Sequence, residues 1–167
     1  MDPIEVARDH WRAHGWADAA QGMAALTSIV RVQQFLVARV ESALRPLGLT
    51  FARYEVLMLL TFSRAGRMPL GKIGERLQVH PASVTNAVDR LEADALVVRV
   101  PNPRDGRGVL AEITPPGRRL AAQATDVLNE TVFSRLALDD DRLAELYGLL
   151  RTLRQAEGDF TDHLTSN

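Results

Sequence analysis

Two clusters of side chains between residues 83 and 107 have the types and spacing for one kind of chemistry, hydrogen bonding to a polar and negatively charged surface. In PASVTNAVDRLEA, Ser83, Thr85, Asn86 and Arg90 offer short hydroxyls, a carboxamide and a guanidinium. In PNPRDGRG, residues 101–108, Arg104 and Arg107 flank Asp105 among prolines and glycines. Hydroxyls and carboxamides both donate and accept, and a guanidinium presents a planar fork of donors. A loop that only reversed the chain could do so with two residues such as Asn-Gly. An arginine-rich loop is also what plain solvated surface looks like, so its meaning rests on the elements that carry it.

Those elements follow from the apolar periodicity. Residues 4–14 read as a short helix that the Gly15–Gly22 tract breaks. From Met23 to Leu44 the apolar residues cover more than one stripe, so this helix is expected to be buried on several sides. Pro46 and Gly48 stop it, and Thr50 is the N-cap of the next helix, FARYEVLMLLTFSR. MPLGKIGERLQ gives a brief extended piece and a short helix carrying Ile73 and Leu77. The following helix starts at Pro81, with Val84, Val88 and Leu91 on its buried face. At about 100° per residue the opposite face carries Ala82, Asn86, Asp89 and Arg90, with Ser83 and Thr85 at its edges. LVVRV and VLAEI form an antiparallel hairpin around PNPRDGRG. Thr114 and Pro115 then open a helix to about Leu136, with Leu120, Ala124, Val127, Leu128 and Thr131 inward. The run Asp139 to Asp141 caps a last helix whose Leu143, Leu146, Leu150 and Leu153 make a seam for a partner helix.

Composition narrows the function. The 167 residues include no cysteine, which excludes disulfides and thiol chemistry. The net charge is -1, yet residues 64–119 hold 10 basic and 6 acidic side chains, against 10 basic and 15 acidic elsewhere. A basic middle between acidic arms suits an anionic partner for the middle alone. No apolar run of about 18 residues appears and MDPIEVARDHW is too charged for a secretory segment, so a soluble, cytoplasmic protein without membrane association is expected. No nucleophile elbow, HExxH or phosphate cradle is present, so neither catalysis nor a cofactor is expected. His10 and His14 beside Asp9 lack a third ligand of fixed position, and the three aspartates lack the glycine and glutamate of a calcium loop, so no metal is expected.

A short helix, a tight turn, a second helix with a small polar face and a basic hairpin make a winged helix-turn-helix. The fold class is mainly α with a small β-hairpin wing, extended by helical dimerisation arms. The major groove of double-stranded DNA admits one helix, whose short side chains can approach base edges. Asn86 is the first candidate to read a base, since Asn pairs with adenine in a bidentate way. Arg107 suits the narrow minor groove, Asp105 would hold its guanidinium, and Arg104 would meet a phosphate. His80 either caps the helix or touches phosphate, and the role of Asp89 is open. The rival reading is a winged-helix module that binds protein; its wing and outer helix face would be more apolar than these.

The stretch SVTNAVDRLEADALVVRVPNPRDGRGVLAEIT resembles the MarR family of bacterial transcriptional regulators. The matching pieces are the helix followed by DRLE, the strand Leu96-Val97-x-Arg99, Asp105-x-Arg107 in the wing, and Ile113-Thr114 before Pro-x-Gly. The resemblance implies a homodimeric repressor on a pseudo-palindromic operator, with one wing per half-site and Asp105 and Arg107 as the minor-groove pair. It implies dimerisation helices in residues 1–48 and 115–167 around a DNA-binding domain at 49–114. Ala95 stands where the family has a helix-closing glycine, so the helix end is expected to forgo the left-handed conformation. The extra N-terminal helix resembles that of the urate-responsive branch, whose ligand residues match Trp11, Glu55, Ala87 and Arg99. Because Ala87 replaces an arginine, urate itself is not expected. A different small aromatic or organic-acid ligand at Trp11, Glu55 and Arg99 is the alternative to Trp11 merely packing and Arg99 pairing with a nearby carboxylate.

Overall fold

A computed structural model describes residues 1–103 and 108–161. Its elements are α1 (Pro3–Ala13), α2 (Ala17–Leu44), α3 (Phe51–Phe62), β1 (Arg67–Pro69), α4 (Leu70–Leu77), α5 (Pro81–Ala93), β2 (Val97–Pro101), β3 (Val109–Ile113), α6 (Pro115–Thr131) and α7 (Asp140–Ala156). They form two compact units, Met1–Ser134 and Arg135–Asn167. The first is helical around a small antiparallel sheet of order β1-β3-β2. The hairpin pairs Val97 with Ile113 and Pro101 with Val109. The extended piece at Met68 joins it as a third strand, pairing with Ala111. Pro69 sits at the end of that edge strand, where its missing N–H costs no ladder bond.

Sequence and caps account for the helix starts. The Thr50 hydroxyl accepts from Arg53 N at 3.3 Å, and Asp139 accepts from Arg142 N at 2.9 Å. Core residues come from α3 (Leu57, Leu60), α4 (Ile73), α5 (Val84, Val88, Leu91), β2 (Val97) and α6 (Ala121, Ala124, Leu128), all fully or almost fully buried. The last turns of α2 close this core with Val40 and Leu44.

Four features differ from the periodicity reading. α2 begins at Ala17, six residues before Met23. The break needs only Gly15, at φ +87°, because Gly22 is tolerated inside the helix for about 1 kcal/mol. Further along α2, Leu26, Ile29, Val30, Val32, Phe35 and Val37 are exposed on the single chain instead of buried. α6 stops at Thr131, not near Leu136; Thr131 turns outward, its hydroxyl donating to Val127 O at 2.6 Å, and Val132 takes the buried place. Ala95 adopts the left-handed conformation after all, at φ +57°.

The surroundings of Ala95 explain how a non-glycine is held there. Ala95 N and Leu96 N donate to Glu92 O and Leu91 O at 2.9 and 2.8 Å, closing the end of α5. The Thr114 hydroxyl donates to Ala95 O at 2.9 Å and accepts from Gly117 N at 3.1 Å, so one side chain joins the end of α5 to the start of α6. The conformation still carries the steric cost of a Cβ. Ala95→Gly is therefore expected to stabilise the protein by about 1 kcal/mol, read by chemical denaturation at fixed protein concentration; equal or lower stability would contradict it.

Candidate nucleic-acid interface

α4 and α5 form the helix-turn-helix. Between them Gln78 takes φ +53°, and Val79 N donates to Gly74 O at 3.2 Å. The Nδ1 of His80 accepts from Ala82 N at 3.2 Å, so this side chain caps α5. Val84, Ala87, Val88 and Leu91 are buried while Ala82, Ser83, Thr85, Asn86, Asp89 and Arg90 are exposed, the division that the apolar period implies. The Thr85 hydroxyl donates to Pro81 O at 3.1 Å and keeps its lone pairs for an incoming donor. The side chains of Ser83, Asn86 and Arg90 have no hydrogen-bond or ion-pair partner among the described residues, and together they line one side of an open groove.

The other side of that groove is Thr50, Ala52 and Arg53 at the start of α3. Arg53 is a functional candidate that sequence reasoning missed, because the strongly apolar α3 reads as core throughout. Its signal is position: it lies in the first turn after the Thr50 cap, and in the structure it reaches Asp94 at 3.6 Å. Lys72 of α4 and Arg67 of β1 were missed because nothing local in RMPLGK shows that it lies beside the hairpin. They line a recess with Asn102 and Pro103 at the root of the hairpin, where Arg67 pairs with Glu112 at 3.6 Å. Asn102 N donates to Gly108 O at 2.9 Å, continuing the hairpin pairing beyond β2. Arg104, Asp105 and Arg107 lie outside the described residues.

Arg99 resolves the question of Asp89. From β2 its guanidinium donates to Asp89 Oδ1 at 2.6 Å and to Glu92 Oε2, while its backbone N–H donates to Glu92 Oε1 at 3.2 Å. Burial works against its charge, but the two carboxylates outweigh that and hold the guanidinium above its ordinary pKa. The bridge ties the far end of α5 to the first wing strand and neutralises an acid on the exposed face. Arg99→Ala frees two carboxylates beside that face and is expected to weaken binding to every DNA sequence, about fivefold to tenfold. Anisotropy titrations check this, and Asp89→Asn in the same chain should restore part of the loss.

Trp11 and Glu55, the other residues of the expected ligand set, line two different grooves, neither of which includes Arg99. Trp11 packs edge-on to Trp16 at 5.4 Å, with His14 against the other ring. Glu55 lines a groove of α3, α4 and α6 that includes neither Trp11 nor Arg99.

A capped helix-turn-helix with free short polar side chains on its second helix, followed by a hairpin wing that pairs with β1 in a three-stranded sheet, defines a winged-helix DNA-binding protein. A sequence model of the MarR family matches residues 47–108. The multiple antibiotic resistance protein MarR of Salmonella typhimurium is 30% identical over 112 residues, covering 66% of this chain and 76% of that one. The crystal structure of Sco5413, a MarR family transcriptional regulator from Streptomyces coelicolor, is similar at TM-score 0.77 and 51% identity over 85% of this chain and 99% of that one. CouR from Rhodococcus jostii RHA1, solved with p-coumaroyl-CoA bound, is similar at TM-score 0.66 and 27% identity over 75% and 87%. The chain belongs to the MarR family of transcriptional regulators, which are DNA-binding proteins and not enzymes. Among the described residues no helix is long and apolar enough to cross a membrane.

Proposed function

We propose that the protein is a cytoplasmic homodimeric repressor that binds a pseudo-palindromic operator and leaves it when a small molecule binds. The observation that carries the reading is the exposed face of α5, where Ser83, Asn86 and Arg90 are unengaged within a family of DNA-binding regulators. In this reading Asn86 pairs with a base, Ser83, Thr85 and Arg90 bond neighbouring base edges and phosphates, and Arg53 and Lys72 add phosphate contacts. At the wing tip Arg107 enters the minor groove, Asp105 orients it and Arg104 meets a phosphate. Arg107→Ala should then cost affinity chiefly on operators with AT-rich flanks, and equal losses on GC-rich flanks would contradict the minor-groove role.

Dimerisation is assigned to residues 1–48 and 115–167, and DNA binding to 49–114. The exposed apolar residues of α2, and separately those of α7 at Leu146, Leu149 and Leu153, support it, since apolar faces of this extent mark association surfaces. The extra helix α1 is likened to that of the urate-responsive branch, but Ala87 is almost buried and offers no group to an anion. Ligand control is supported by the relative CouR, which holds p-coumaroyl-CoA. Of Trp11, Glu55 and Arg99, Glu55 has no hydrogen-bond or ion-pair partner among the described residues and is the first ligand candidate. Hydroxyl-radical footprinting on a duplex recovered by in vitro selection tests the dimeric reading. Two-fold symmetric protection with half-site centres about one helical turn apart is expected, and a single asymmetric footprint would contradict it.

A further inference from the structure

The groove that holds Glu55 is charged in one sense only. Its described lining contains one acid and no base. Glu55 stands half-buried among Phe51, Tyr54, Met58, Phe62 and Phe133, and burial pushes its carboxyl up. The other polar groups there are engaged with each other: Tyr54 OH and Thr125 Oγ1 are 3.0 Å apart, and the threonine hydroxyl also lies 2.8 Å from Ala121 O. Around the acid are aromatic surfaces. Phe51 and Tyr54 lie nearly parallel at 6.3 Å, and Phe62 and Phe133 are 77% and 44% exposed at the opening.

We propose that this groove binds a small amphiphilic cation, an amine or quaternary ammonium with an aromatic body. Its charged end sits against Glu55 and its apolar body lies on Phe51, Tyr54, Met58 and the rings of Phe62 and Phe133. An unpaired carboxylate among apolar side chains is costly, and a bound ammonium supplies its missing counter-charge. Ring faces attract the same cation. An organic acid would meet like charge here, and the cation that could have received it, Arg99, lines no part of this groove and is held by Asp89 and Glu92. The inference rests on ligand control as proposed above and reverses the charge expected of the ligand from the sequence.

Calorimetry on the full chain with two probes of one ring system tests it: (2-naphthylmethyl)trimethylammonium and 2-naphthoate. The cation is expected to bind at least about tenfold more tightly. Glu55→Gln should remove most of that preference, and Phe62→Ala should weaken the cation several-fold, with thermal melts showing both variants folded. Naphthoate binding as tightly as the cation, no cation binding at millimolar concentration, or unchanged cation affinity in Glu55→Gln would each overturn the proposal. A second copy of the chain covering the groove would give the second of these results. Anisotropy of the wild-type protein on operator, with and without the cation, separates the two ideas. Cation bound without loss of DNA affinity leaves the site standing and overturns ligand release. Operator bound with no cation affinity leaves DNA binding standing and overturns the site.

Discussion

Asn86→Ala is expected to weaken binding to the operator by about 1–3 kcal/mol while leaving affinity for random DNA almost unchanged. The carboxamide projects from the exposed face of α5 with no partner among the described residues, so removing it frees nothing within the protein. Stability should therefore move by less than about 0.5 kcal/mol. What is lost is a bidentate pair to one base, so the preference at that single operator position should relax while its neighbours keep theirs. Anisotropy against a panel of operators, each varied at one position, reads both effects. Equal losses on operator and random DNA would show that Asn86 meets the backbone instead of a base.

The second large effect is on folding. Gly117→Ala is expected to destabilise the protein by about 1–3 kcal/mol. Gly117 is buried in the first turn of α6, where a Cβ would run into the Leu96 carbonyl oxygen and approach Ile113 Cγ1 to 2.9 Å. The Leu96 oxygen cannot retreat freely, because it accepts from Thr114 N at 3.0 Å at the junction between wing and helix. The melting temperature should fall by several degrees, roughly 2–4 °C per kcal/mol for a chain of this size. Gly71→Ala in α4, where a Cβ meets nothing within 4 Å, is the matched control and should keep or gain stability, by up to about 1 kcal/mol, since alanine is the better helix former. A Gly117→Ala chain that melts with the wild type would mean that α6 can shift away from β2 without cost.

Period and caps carried much of the fold because they are local. The 3.6-residue spacing of Val84, Val88 and Leu91 fixes which face of α5 is free, and Thr50, Thr114 and Asp139 mark helix starts by accepting from nearby backbone N–H groups. What escaped depends on partners distant in sequence or on a second surface. The role of Asp89 stayed open in the sequence because its partner Arg99 lies ten residues on, in a strand. Arg53 was hidden by the apolar character of α3, and only packing of α3 against α5 brings it beside Ser83 and Asn86. The several-sided apolar pattern of α2 predicts burial that the core of one chain supplies for only part of the helix. Ala95 shows the reverse limit: composition argues against a left-handed residue, and the Thr114 bridge imposes one. Ligand chemistry was least accessible: the sequence left Arg99 between contacting a ligand and pairing with a nearby carboxylate, and Asp89 and Glu92 engage it.

The central claim is specific recognition of duplex DNA through α5 and the wing. Its most direct test is fluorescence anisotropy of the full chain on a duplex recovered by in vitro selection, against a scrambled duplex, at two salt concentrations. A preference of at least about a thousandfold, falling steeply in absolute affinity as salt rises, is the predicted result. Weak and equal binding to both duplexes would contradict it and would mean that the polar face of α5 serves a partner other than DNA.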